Sequence, residues 1–121
     1  MARILLAEDE QQIGDMVTFK LTNSGHRVVR VGDGEAALAA AERDRPDVII
    51  LDVMMPQMDG FEVLRRLRQD ERTSRVPVVV LTAKTSQVDR DRCRELGADG
   101  FVTKPFHPDE LTDQLDSLIA T

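Results

Sequence analysis

The chain contains no tryptophan and no tyrosine, and its aromatic content is four phenylalanines. Stacking platforms for bases or for a flavin would have to come from that small supply. Cys93 is the single cysteine, so an internal disulfide is excluded and a reducing cytoplasm fits. Positive charge is also short: the formal net charge is −6, which works against direct binding to nucleic acid or to an anionic membrane. No apolar run approaches the roughly 20 residues of a membrane span. The opening Met1-Ala2-Arg3-Ile4-Leu5-Leu6-Ala7-Glu8 turns acidic too soon for a signal peptide.

What is present suits one soluble domain over residues 1–121, with 41% hydrophobic and 31% charged residues. Strand-like and helix-like segments alternate throughout. Strands are expected at Arg3 to Ala7, His26 to Val31, Val48 to Leu51, Val76 to Leu81 and Gly100 to Thr103. Helices are expected after Glu10 up to a Gly25 terminator, over Glu35 to Arg45, from Asp59-Gly60 to about Gln69, over Ser86 to Leu96, and from Pro108 onward. Five βα units in series imply a three-layer α/β fold: a doubly wound, five-stranded parallel sheet in the order 2-1-3-4-5, with helices on both faces.

The unbroken apolar run Val48 to Leu51 leads straight into Asp52, and that residue organises the rest. All strands of such a sheet end on one edge, and ligands bind there at the switch point between strands 1 and 3. Strand 1 delivers Glu8 and Asp9 to that edge, strand 4 delivers Thr82, and strand 5 delivers Lys104. Two unit charges about 4 Å apart at an effective dielectric near 20 repel by roughly 4 kcal/mol. Three carboxylates in one crevice therefore call for a cation or for protonation. An all-oxygen site suits Mg²⁺ or Mn²⁺, whereas zinc would want His or Cys. A carboxylate beside Mg²⁺, a hydroxyl and a lysine is equipment for phosphoryl transfer to Asp. Taken singly, each residue has a plainer use: Asp52 as a turn cap, Thr82 bonding its own loop, Lys104 solvated, and Met54, Met55 and Met58 as packing. Cys93 reads as an inert helix residue, and the acidic run Asp109, Glu110, Asp113 and Asp116 reads as a solvated helix face.

Glu8-Asp9-Glu10, Asp52 to Gly60, Leu81-Thr82-Ala83, Glu95 to Phe101 and Lys104-Pro105-Phe106 together resemble the receiver domain of two-component response regulators. The resemblance covers essentially the whole chain. It implies that Asp52 is the phosphoacceptor, that Asp9 and Asp52 bind the metal directly with the Met54 carbonyl, and that Glu8 acts chiefly through water. It further implies that Thr82 and Phe101 form a switch pair and that Lys104-Pro105 is a cis peptide. Met54 and Lys84 would flank the hydrolytic water and tune the phosphoryl lifetime. The implied partners are a histidine kinase or histidine phosphotransfer protein upstream, and a protein target or output domain downstream.

Two rivals share parts of this pattern. A small Mg²⁺-dependent phosphatase of the haloacid-dehalogenase type would want an acid two residues after Asp52, where Met54 stands. A flavodoxin would want a Ser/Thr/Gly-rich phosphate loop after strand 1, where Glu8-Asp9-Glu10 would repel the flavin phosphate. Receivers with winged-helix output domains usually carry a second Asp after Gly-Ala-Asp and basic residues on the last helix. Gly100, Gln114 and Asp116 occupy those places, which favours a single-domain regulator acting through protein contacts over a receiver cut from a larger regulator.

Overall fold

The computed structural model describes residues 2–83 and 86–119. Ten elements alternate in the expected order: β1 (Arg3–Ala7), α1 (Gln11–Asn23), β2 (Arg27–Val31), α2 (Gly34–Asp44), β3 (Val48–Asp52), α3 (Gly60–Gln69), β4 (Val78–Thr82), α4 (Gln87–Glu95), β5 (Gly100–Thr103) and α5 (Pro108–Ile119). The strands are parallel, in the order β2-β1-β3-β4-β5. Side chains alternate along each strand, so the sheet divides the core in two. Leu5, Ile49, Leu51, Val78 and Val80 face α2, α3 and α4, meeting Ala40, Phe61, Leu64, Leu67 and Cys93. Ile4, Leu6, Val48, Ile50, Val79 and Leu81 face α1 and α5, meeting Val17, Leu21, Leu111 and Leu115. All five residues of β3 and of β4 are buried, which is why their sequences are continuous apolar runs without alternation.

Helix ends follow local chemistry. Asp33, Asp59 and Ser86 cap α2, α3 and α4, each side chain accepting a backbone N–H three residues on. Gly25 follows α1 at φ +92°, where a side chain would be strained, as its reading as a terminator requires. Two boundaries differ from expectation. Strand β4 starts at Val78 instead of Val76, because the Val76 carbonyl is taken by Arg68 Nη1 at 2.8 Å and Pro77 has no N–H to give. Strand β2 starts at Arg27, since His26 turns its Nδ1 to accept the Ala2 N–H at 3.1 Å. Met55 and Met58 pack into the core as expected of them, but Met54 is 52% exposed. Cys93 is buried, and burial pushes its thiol above the ordinary value.

Candidate functional site

Strands β1 and β3 run side by side, with Ala7 opposite Leu51, so the residues following each emerge together at the carboxyl edge. Asp52 is the last residue of β3 and is buried. The Met54 N–H donates to its Oδ1 at 2.8 Å, which fixes the carboxylate's rotation. Lys104, reaching across from the end of β5, donates to Asp52 Oδ2 at 3.0 Å. The Lys104 backbone N–H donates to the Thr82 carbonyl at 2.8 Å, so β4 positions the loop that carries this lysine. The Lys104-Pro105 peptide is cis.

The Lys104 ammonium also lies 2.8 Å from Glu8 Oε1 and donates to Glu10 Oε1 at 3.1 Å. Burial alone would pull this lysine down, but its bonds to Glu8, Asp52 and Glu10 outweigh that and hold it above the ordinary lysine range. Glu8 is fully buried. Burial pushes it up to about 7, a rise that Lys104 opposes and the neighbouring Asp52 adds to. Its Oε2 accepts the Glu10 N–H at 3.1 Å, and its Oε1 is ion-paired with Lys104. Three carboxylates, Glu8, Glu10 and Asp52, share this single ammonium, and such an excess of acidic groups has room for a further positive charge.

Glu8, Glu10 and Asp52 each present an oxygen within 4.8 Å of the others. This all-oxygen set fits a hard divalent cation such as Mg²⁺. The sequence leads to Glu8 and Asp52 but not to Glu10. Asp9, expected as a direct ligand, is exposed and stands outside the observed cluster. A loop residue's side-chain direction follows no period, so spacing alone does not distinguish Asp9 from Glu10. Thr82 is buried at the end of β4, on the same edge as Asp52. Phe101 sits on β5, half-buried, with the Arg90 guanidinium 4.7 Å over its ring. Lys84 lies outside the described residues. His26 is held at the far end of β1, and His107 is exposed beside Asp109, so neither joins the cluster.

A family model described as the response regulator receiver domain matches residues 4–116. The alkaline phosphatase synthesis transcriptional regulatory protein PhoP of Bacillus subtilis is 41% identical over 117 residues, covering 97% of this chain and 48% of that protein. The chain thus spans about half the length of the curated relatives it matches. Among solved structures, chemotaxis protein CheY4 of Vibrio cholerae superposes with a TM-score of 0.92 at 37% identity, covering 98% of both chains. The receiver domain of sensor histidine kinase PA1611 from Pseudomonas aeruginosa, solved with a magnesium ion coordinated in its active-site cleft, gives 0.91 at 37% identity over 99% of this chain and 98% of that one. Sheet order, clustered carboxylates and these matches agree, and the chain belongs to the receiver domains of two-component response regulators.

Proposed function

We propose that Asp52 takes a phosphoryl group from the phosphohistidine of a histidine kinase or histidine phosphotransfer protein. An Asp52 oxygen forms the new O–P bond, the N–P bond breaks, and the imidazole leaves carrying the electron pair and collects a proton from water. The observation that carries this is the fixed Asp52 carboxylate, tied by the Met54 N–H on one oxygen and by Lys104 on the other. Lys104 pairs with the oxygens of the incoming group as a point charge, and the Thr82 hydroxyl donates to the transferred group. Glu8, Asp52 and the Met54 carbonyl would hold Mg²⁺ or Mn²⁺, with Asp9, by family resemblance, taking the place that Glu10 has in the observed cluster. When bound, the ion offsets the repulsion between Asp52 and the phosphoryl oxygens.

The new negative charge at Asp52 draws Thr82 toward it, and Phe101 turns inward to fill the space beneath. The face formed by α4, β5 and α5 then changes shape, and a downstream protein or output domain that prefers one form reads the change. Met54 and Lys84 tune how long the phosphoryl group lasts. The domain itself acts in the cytoplasm through protein contacts, with no direct hold on nucleic acid or membrane. No helix among the described residues is long and apolar enough to cross a membrane.

Intact mass after acetyl phosphate treatment tests the acceptor. The chain is expected to gain one phosphoryl group only with Mg²⁺ present, and Asp52→Asn to gain none. Labelling of that variant at wild-type stoichiometry would place the acceptor elsewhere. Thr82→Ala is expected to be labelled yet to lose its partner response, and an unchanged response would remove Thr82 from the switch.

A further inference from the structure

The end of the sheet away from Asp52 carries a second cleft that phosphoryl chemistry does not use. A cavity of about 460 Å³ opens between β1, β2 and the end of α2, its lining including Arg3, Arg27, Val29, Arg43, Asp44 and Pro46. Its origin is the composition of α2. Ala37, Ala40 and Ala41 face the core, and methyl groups are too short to cover the outer strand. Val29 is left 40% exposed in consequence. In the strand register Arg3 lies opposite Arg27 and Leu5 opposite Val29, so along this face a pair of cations is followed by a pair of apolar side chains.

The charges are unequally used. Arg43 is committed to Asp44, through Nε at 3.0 Å and Nη2 at 3.1 Å. Arg3 Nη1 donates only to the Asp44 carbonyl, at 3.2 Å. The Arg27 side chain makes no hydrogen bond or ion pair among the described residues. On a chain of net charge −6 this is a local excess of guanidinium groups, three against the single carboxylate of Asp44, which Arg43 already holds. Strand β2 is also the end of the sheet, with β1 on one side and, among the described residues, no strand on the other. Its outward backbone groups are therefore open to a further strand.

We infer that the β2 edge and this cleft bind an extended acidic segment of a partner protein as an added strand. Main-chain hydrogen bonds to Arg27–Val31 give the hold, and alternating side chains give the selectivity. Acidic residues of the segment face Arg27, with the longer Arg3 side chain in the adjoining cleft, and the apolar residues between them lie on the exposed Val29. A free phosphate would meet the arginines but leave the open edge and Val29 unused, so a peptide accounts for more of the surface. The site lies a strand's length, about 17 Å, from the phosphoryl edge. It can accordingly tether the domain to a partner without blocking Asp52.

The test is fluorescence anisotropy of the 121-residue chain with a fluorescein-labelled peptide of alternating glutamate and valine. Binding is expected to weaken with salt. Arg27→Glu should weaken it by about tenfold or more, with the thermal melt unchanged, because a rim cation is replaced by a like charge. A peptide N-methylated at alternate residues, which cannot donate to β2, should also lose about tenfold or more. Equal binding of the N-methylated and parent peptides would overturn strand addition, and equal binding by Arg27→Glu would overturn the charge pairing. Displacement of the peptide by inorganic phosphate or a single-stranded oligonucleotide at lower concentration than by unlabelled peptide would overturn the assignment to a peptide.

Discussion

Lys104 brings its ammonium within 3.1 Å of Glu8, Glu10 and Asp52 while its own side chain is 9% exposed. Removing one member of a buried charge cluster leaves the others uncompensated, at about 3–5 kcal/mol. Lys104→Met should therefore melt well below wild type in EDTA. Added Mg²⁺ should raise the melting temperature of the variant more than that of wild type, because the ion becomes the cluster's main source of positive charge. Equal magnesium shifts in the two proteins would mean that the carboxylates do not share one cation. Asp52, Thr82 and Lys104 could be placed from the sequence because each ends or follows a strand, and parallel strand ends fall on one edge. Glu10 could not, since its role depends on which way one side chain leaves a loop. Arg68 could not either. Its guanidinium bonds the carbonyls of Val76 and Gly97 and the Asp99 carboxylate, and a long side chain reaching backbone oxygens leaves no pattern in the sequence.

Helix α3 shows what the element scale adds. Asp59-Gly60 announces the helix start, and the structure confirms Asp59 as its cap, with Oδ1 accepting the Glu62 N–H at 3.0 Å. The reason for glycine at the next position is tertiary. A Cβ on Gly60 would lie 2.3 Å from the Val53 Cα and 2.8 Å from the Asp52 carbonyl oxygen, both backbone atoms that cannot swing aside. The Gly60 N–H bonds the Val53 carbonyl at 3.0 Å, closing the loop that carries Asp52 and Met54 back onto its own helix. Gly60→Ala should cost roughly 1–3 kcal/mol by overpacking. It should also slow labelling by acetyl phosphate more than an equally destabilising change on the outer face of α3, because the displaced segment holds the Met54 N–H. A variant that loses stability but labels at the wild-type rate would separate the loop's geometry from the chemistry. Periodicity reveals α3 because its buried residues, Phe61, Val63, Leu64 and Leu67, recur at helical spacing. It cannot reveal a backbone contact made through the absence of a side chain.

At the scale of the whole molecule the sheet has two edges, and the chain treats them differently. Strand β5 ends one side, and there Gln114 of α5 acts as a substitute strand. Its Oε1 accepts the Phe101 N–H and its Nε2 donates to the Phe101 carbonyl, both at 3.1 Å. The neighbouring Gly100 leaves room for that amide, since a Cβ there would come within 2.3 Å of Gln114 Oε1. No comparable amide covers β2 among the described residues, and that edge is the one with the basic cleft beside it. The order of the strands was readable from alternation alone, but the closing of one edge was not, because it rests on a single polar residue in an otherwise amphipathic helix. Gln114→Leu keeps the bulk and removes both bonds, so Phe101 loses two backbone partners at a cost of roughly 1–3 kcal/mol. Hydrogen exchange at the Phe101 amide should accelerate by more than at the amides of β3, and the freed edge should promote self-association at high concentration. Exchange that speeds equally in every strand would point to global loosening, with Gln114 a packing residue and the β5 edge guarded by something else.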